Sequence, residues 1–320
     1  MTHRIGIIGL GTVGTRFVEQ FGLHDAFDVV AGWDPDPTAC AAHADDIAIQ
    51  SDADGVIAAA DAVYVATPPL FHRQYVEACV RADVGIFCEK PLGVDVAESR
   101  ALVDLVNASG LPAGVNFVFS AAPSATGLLD DVRTGSLGEV VRADLRLHFA
   151  EWPRAWHAKA QWLQHRDQGG WIREVASHFL FLVGRALGPL AIESSHVVFA
   201  DGVDGALSEV SATAHLTTAS GLELSLAGTS GGTGPDVVDL TVRGTDGASR
   251  VWNWYRLQSS DGSEWIDRGA VDPAVSSAAA YAAQLGELSE MLAGRPHTIA
   301  TFDEALTVQE LVERLLESTS

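Results

Sequence analysis

Along the first 120 residues, short apolar runs alternate with stretches whose apolar positions recur every three or four residues. The runs RIGIIGL (4–10), DVVAGW (28–33), DAVYVAT (61–67), VGIFCE (84–89) and AGVNFVF (113–119) are short and apolar, and they predict strands. Between them the spacing predicts helices near 12–23, 70–82 and 95–109, the last with Asp95 as N-cap and Gly110 as its stop. Strands alternating with helices in this way form βαβ units and feed a parallel sheet. The pattern therefore predicts an α/β protein that opens with a doubly wound parallel sheet, in a first domain spanning 1–120.

Past residue 120 the rhythm changes. A helix is expected near 123–134, a strand at 140–150, an irregular Trp-rich segment, and a helix near 170–184. From about 190 to 255, apolar runs are separated by the turn signals ADGVDG, TASG and GTDG, which predicts a mostly antiparallel sheet. Two helices near 275–293 and 303–317 close a second α/β domain, 121–320, whose open sheet would bind substrate and support oligomerisation.

Composition narrows the partners. A formal charge of −22 leaves no basic face to displace counterions from a phosphate backbone, so neither nucleic acid nor an anionic membrane is expected. No apolar run reaches the roughly 18 residues of a membrane span, and the chain enters an apolar strand almost at once, without a basic and then apolar leader. Cys40, Cys79 and Cys88 form no CxxC pair and fit reduced thiols, so the expected location is the cytoplasm. Without HExxH or clustered Cys and His, no metal is expected.

Gly9-Leu10-Gly11-Thr12-Val13-Gly14 fits GxGxxG at the place where that pattern has a mechanism, after a strand and opening a helix. The first glycine permits the tight turn, the second lets backbone approach a pyrophosphate, and the third lets helix and strand pack closely. Asp34 follows Gly14 by twenty residues at the end of the second strand, where a carboxylate can bond both ribose hydroxyls. Its charge would oppose a 2′-phosphate, and GWDPDP holds no arginine, so NAD is expected in preference to NADP. Asp34 can also be read as a turn former before Pro35.

With ATPPLFH (66–72), FCEKPLG (87–93) and GGWIREVASH (169–178) following the glycines in that order, the chain resembles the Gfo/Idh/MocA oxidoreductases over nearly its whole length. The resemblance implies a Rossmann domain followed by an α/β domain with an open sheet. It also implies that Lys90 lies beside the nicotinamide, that Glu174 and His178 stand where that family's GGxxxDxGxH motif has its Asp and His, and that the Lys90–Pro91 peptide can be cis. The chain departs from the pattern at Glu174 for aspartate, Ala176 for glycine, Leu70 for asparagine and Phe181 for an acid.

Hydride transfer needs a group that takes or returns a proton, and histidine has a suitable pKa without adjustment. Glu174 and His178 are four apart on an expected helix and so share a face, where the carboxylate could orient the imidazole. Lys90, one of only two lysines, could hold a developing alkoxide. The alternatives are a surface lysine paired with Glu89 and a structurally satisfied histidine. Thr67, Pro68 and His72 at the third strand's end, and Glu89 at the fourth, are expected around the cofactor; His72 can equally be a simple residue at a helix start.

The segment 151–173 carries Arg154, Lys159, Arg166 and Arg173 against Glu151 and Asp167, and four of the eight tryptophans, Trp152, Trp156, Trp162 and Trp171. Arg154, Trp156, Lys159, Trp162 and Arg173 are expected to hold an anionic substrate beside Lys90, Glu174 and His178. The same composition suits a subunit interface, and a homodimer or homotetramer is expected. The expected function is therefore an NAD(P)-dependent oxidoreductase acting on a sugar or polyol, or on an anionic hydroxy, sugar or imino acid. The other classes consistent with these residues are an NAD-using hydrolase or lyase that works by transient oxidation, and a non-catalytic nucleotide-binding protein.

Overall fold

A computed structural model describes every residue except Met1, Lys159, Val203, Asp204 and 318–320. The chain forms two compact units: Met1–Phe117 with Trp156–Trp162 and Gln284–Thr307, and Val118–Ala155 with Leu163–Ala283 and Val308–Ser320.

The first unit contains β1 (His3–Ile8), α1 (Thr12–Gly22), β2 (Phe27–Trp33), α2 (Pro37–Ala41), α3 (Ala53–Ala59), β3 (Ala62–Val65), α4 (His72–Ala82), β4 (Gly85–Cys88), α5 (Val96–Ser109) and β5 (Ala113–Val115). Its five strands are all parallel, in the order β2-β1-β3-β4-β5. Every strand residue of β3 and β4 is buried, as a sheet covered on both faces requires. One face of α1 buries Gly14, Phe17 and Phe21, the spacing of an amphipathic helix, and Phe17 meets Tyr64 of β3 at 4.4 Å between ring centroids.

The helix ends follow from local chemistry. Asp95 caps α5 by accepting the Glu98 N–H at 2.8 Å, and Gly110 ends it at φ +68°. The hydrophobic pattern predicts no element across 34–60, yet α2 and α3 lie there, each started by an aspartate: Asp36 accepts the Thr38 N–H and Asp52 the Gly55 N–H, both at 2.8 Å. The runs are short and Ala-rich, so their periodicity is weak, but the caps were readable.

The second unit contains α6 (Pro123–Thr134), β6 (Val140–Phe149), α7 (Ser177–Leu187), β7 (Leu190–Phe199), β8 (Glu209–Thr218), β9 (Glu223–Ser230), β10 (Val237–Gly244), β11 (Ala248–Trp252), β12 (Arg256–Ser260) and β13 (Ile266–Arg268). Two further helices, α8 (Pro273–Leu292) and α9 (Phe302–Glu317), complete the chain. The eight strands run β13-β12-β11-β10-β6-β9-β8-β7, antiparallel at every pair except β6 and β9. Along β6, Ala143, Leu145, Leu147 and Phe149 are buried, whereas Arg142, Asp144, Arg146 and His148 alternate onto the other face. α6 covers β11 and β12.

The helix expected near 170–184 is two structures. A π turn spans Ile172–Ala176, and α7 begins only at Ser177. The Ser177 N–H donates to Ile172 O, five residues back, and so makes the turn wide.

Candidate active site

Strand register places the first set of candidates. Ile8 pairs with both Trp33 and Val65, Val65 with Cys88, and Cys88 with Val115. The residues that follow, Gly9, Asp34, Ala66, Glu89 and Asn116, therefore emerge in a row along the carboxyl edge of the parallel sheet. The chain reverses its winding between β1 and β3, the position where open α/β sheets bind ligands.

At that point the glycine turn is tightly packed inside and open outside. Gly9 sits at φ +96°, and a Cβ there would come within 2.7 Å of Ala66 O. A Cβ at Gly14 would lie 1.8 Å from Gly9 O, so only glycine lets α1 start this close to β1. A Cβ at Gly11 would meet nothing within 4 Å. α1 carries no acidic residue in its first turn and no side-chain cap, so Thr12, Val13 and their neighbours present backbone N–H groups at the positive end of the helix dipole. Asp34 accepts the Leu10 N–H at 2.7 Å and the Asp36 N–H at 2.8 Å. The Thr67 hydroxyl oxygen is buried and has no hydrogen-bond partner among the described residues. An open cradle of N–H groups, a fixed carboxylate and an unsatisfied hydroxyl fit a dinucleotide.

Lys90 is buried, 6% exposed, directly after β4, and its peptide to Pro91 is cis. A surface lysine is thus not what the structure contains. Glu89 is held by a polar chain: Tyr64 OH and Asn116 Nδ2 both donate to its Oε1, the latter at 2.6 Å, and Gln284 Nε2 donates to Asn116 Oδ1 at 3.0 Å. Neither Tyr64, Asn116 nor Gln284 was visible as functional in the sequence, because each is an ordinary polar position in an apolar run.

His72 is fully buried, with Nδ1 2.8 Å from Pro91 O and Nε2 2.7 Å from Thr67 O. Burial pushes its pKa down to about 4, against the pull of those carbonyls and with Lys90 adding to the depression. The neutral ring has one N–H, so it donates to one of the two carbonyls at a time. His72 thereby ties the loop after β3 to the loop after Lys90. Pro68 precedes the short 3-10 turn Pro69–Phe71 that leads into His72.

In the second unit, Glu174 lies half-exposed in the π turn and His178 is buried in the first turn of α7. The His178 ring meets Phe119 at 6.2 Å and Trp254 at 5.9 Å between centroids, both edge-on. The π turn has a built foundation. Glu209 Oε1 accepts the Ile172 N–H at 2.7 Å, its backbone oxygen accepts Trp171 Nε1–H at 3.1 Å, and Gly170, at φ +100°, leaves room where a Cβ would come 2.2 Å from Glu209 Oε2. Burial pushes the Glu209 carboxyl up to about 7, against its backbone hydrogen bonds and Arg173. Nothing in SEVSATA marks Glu209 in sequence; only the fold shows it under the turn.

The basic segment divides. Arg173 donates to both oxygens of Glu313 at 2.7 Å and to the carbonyls of Arg166 and Gly169 at 2.8 and 2.9 Å, which engages it in holding its loop to α9 rather than a ligand. Arg166 stacks on Phe199 at 3.6 Å. Arg154 lies over Phe149, Trp152 and Trp254 at 5.2, 5.6 and 5.8 Å. Trp156, in the first unit, is exposed and carries Arg16 at 4.9 Å over its ring, while Trp162 is half-buried. Lys159 lies outside the described residues.

Residues 3–117 match the oxidoreductase family with an NAD-binding Rossmann fold. The chain is similar to the inositol 2-dehydrogenase of Acidothermus cellulolyticus, 32% identical over 149 residues and 44% of each chain. It is also similar to the inositol 2-dehydrogenase of Rhizobium meliloti, 26% identical over 259 residues, 79% of this chain and 76% of that one. The alignment thus spans less than half of the first relative's length. In fold the chain resembles a 3-ketoreductase from Actinomadura kijaniata solved with NADP and TDP-benzene, with a TM-score of 0.82 at 17% identity, covering 100% of this chain and 98% of that one.

Proposed function

We propose that the chain is a member of the Gfo/Idh/MocA family of oxidoreductases and moves a hydride between a nicotinamide dinucleotide and a small polar molecule, a sugar or polyol or an anionic hydroxy, sugar or imino acid. The observation that carries this reading is the buried ammonium of Lys90, set at the carboxyl edge of the same parallel sheet as the glycine turn. Burying a charged group is costly, and a fold retains one where it has work to do.

The residues that would hold the dinucleotide are Gly9, Gly11, Thr12, Val13 and Gly14 at its pyrophosphate, Asp34 at the adenosine ribose, and Thr67, Pro68, His72, Glu89 and Lys90 toward the nicotinamide. When bound, the group supplies the hydride acceptor or donor. We favour NAD over NADP, because the Asp34 carboxylate is fixed by two backbone N–H groups and cannot swing away from a 2′-phosphate. In the proposed reaction Lys90 Nζ donates a hydrogen bond to the substrate oxygen and stabilises it as negative charge develops. His178 takes the hydroxyl proton on oxidation and returns it on reduction, with Glu174 four residues earlier in the chain. Phe119 and Trp254 keep water from one side of that ring.

The acidic composition and three free thiols support a cytoplasmic protein. A homodimer or homotetramer belongs to the same proposal, and light scattering measures it directly. Among the described residues no helix is long and apolar enough to cross a membrane.

The test is turnover: a panel of polyols, sugars and hydroxy acids, followed by absorbance of the reduced nicotinamide, with the Lys90→Met variant alongside. Lys90→Met should lower kcat by about 100-fold to 1000-fold. Full activity in that variant would sink the reading.

A further inference from the structure

The short helix α2 buries no side chain. One helical turn that buries nothing adds little to stability by itself. What α2 and the turn after it contribute is polar: Cys40 and His43 reach the two chain segments that meet at the carboxyl edge of the parallel sheet.

Cys40 spans the main chain of Asp34. Its Sγ accepts the Asp34 N–H and donates to Asp34 O, both at 3.3 Å. This pair of bonds needs the neutral thiol, because a thiolate has no proton to give. The Asp34 carboxylate in turn accepts the Leu10 N–H at 2.7 Å and the Asp36 N–H at 2.8 Å, so main chain and side chain are both held.

His43 acts on the other side of the same turn. Thr15 Oγ1 donates to Leu10 O at 3.1 Å and lies 3.0 Å from His43 Nε2. The hydroxyl has a single proton and gives it to Leu10 O, so in its contact with Thr15 the imidazole is the donor, through Nε2–H. His43 is buried, and the chain just after it is tied to β2: Gly32 N–H donates to Ala48 O and Gln50 N–H to Gly32 O, both at 3.0 Å. Leu10 is therefore held at both of its peptide groups, its N–H by Asp34 and its carbonyl by Thr15 with His43 behind it. The Leu10–Gly11 peptide is trans, so with Leu10 O turned toward Thr15 the Gly11 N–H is aimed the opposite way.

We infer that Cys40 and His43 are positioning residues for the dinucleotide. Cys40 sets where the Asp34 carboxylate stands, and His43, through Thr15, sets which way the Leu10–Gly11 peptide faces. Together they fix the spacing between the proposed ribose contact and the N–H groups of the glycine turn, which concerns the adenosine diphosphate half of the ligand. The inference rests on the dinucleotide reading above and adds two residues that the glycine pattern does not mark.

The experiment uses the full chain. Calorimetric titration measures NAD, NADP and ADP-ribose binding to wild type and to Cys40→Ala, Cys40→Ser, His43→Leu and His43→Gln, with Tm recorded for each. Cys40→Ala and His43→Leu should each weaken NAD and ADP-ribose by about fivefold, the size of one lost hydrogen bond. NADP, whose 2′-phosphate a fixed carboxylate repels, should lose less in Cys40→Ala, raising its affinity relative to NAD by about threefold. Cys40→Ser and His43→Gln keep the needed donors and should recover most of the binding. Thr15→Val removes the hydroxyl between His43 and Leu10, should show the same loss as His43→Leu, and decides the point if that variant does not fold. In turnover the losses should fall on KM for the nucleotide rather than on kcat. Unchanged affinities, a lower Tm without a change in affinity, or no recovery in Cys40→Ser and His43→Gln would overturn the inference while the dinucleotide reading stands. A wild type that binds neither NAD nor ADP-ribose would overturn both.

Discussion

The Asp34 carboxylate is a structural brace as well as the proposed ribose contact. Its oxygens accept the Leu10 and Asp36 N–H groups, which braces the glycine turn. The turn-forming expectation thus describes this side chain, and the ribose contact belongs to the function proposed above. Replacing the charge without the shape separates them. Asp34→Asn should raise the kcat/KM ratio of NADP to NAD by at least about tenfold, since like charges placed together cost several kcal/mol; an unchanged ratio would remove Asp34 from the specificity argument. Other residues were legible only as types. Lys90 and His178 were singled out by pattern, but their burial came from the fold. Arg173 and Arg154 looked equivalent in sequence, and only their partners, Glu313 for one and three aromatic rings for the other, distinguish them.

At the scale of elements, the five parallel strands were readable as short apolar runs and α1, α4 and α5 from their period of 3.6, whereas α2 and α3 were not. The π turn was not. It depends on Glu209, a residue on β8 more than thirty positions away, accepting the Ile172 N–H from beneath. This contact has a consequence for pH. A carboxyl near 7 in the fold and near its ordinary value in the unfolded chain binds a proton in the folded state alone between about 4.5 and 7. Its contribution to stability is therefore greatest below that window and declines as pH rises through it. His72 has the opposite sign: its pKa of about 4 means that the unfolded chain alone takes up a proton between about 4 and 6.5, so stability is lost as pH falls through that window. The two contributions oppose each other in wild type. Glu209→Gln, which keeps an oxygen for the Ile172 N–H, should leave the His72 slope uncovered, so that Tm rises more steeply between pH 4.5 and 6.5 than in wild type. An unchanged profile would show that Glu209 does not titrate in this range.

Across the whole molecule the dominant quantity is charge. With 42 acids and 20 bases, even complete pairing leaves 22 carboxylates facing only one another and solvent. Exposed ion pairs contribute about 1 kcal/mol or less each, whereas the surplus repels collectively, so screening should help more than it harms. Raising salt from about 20 mM to about 500 mM, which shortens the Debye length from about 20 Å to about 4 Å, should raise Tm. A fall in Tm would mean that the ion pairs outweigh the surplus. What the sequence by itself determined is what rests on local order: the βαβ rhythm, the glycine turn with its acid, the mostly antiparallel second sheet, and the resemblance carried by EKP and GGWIREVASH. Each is set by residues near one another in the chain, where period, caps and turn chemistry act. What only the tertiary structure decided is which side chains are buried, which cations are already engaged, and that Glu209 and Trp254 stand beside the π turn and His178. Those facts depend on contacts between strands and turns far apart in sequence, and no local pattern encodes a contact of that kind.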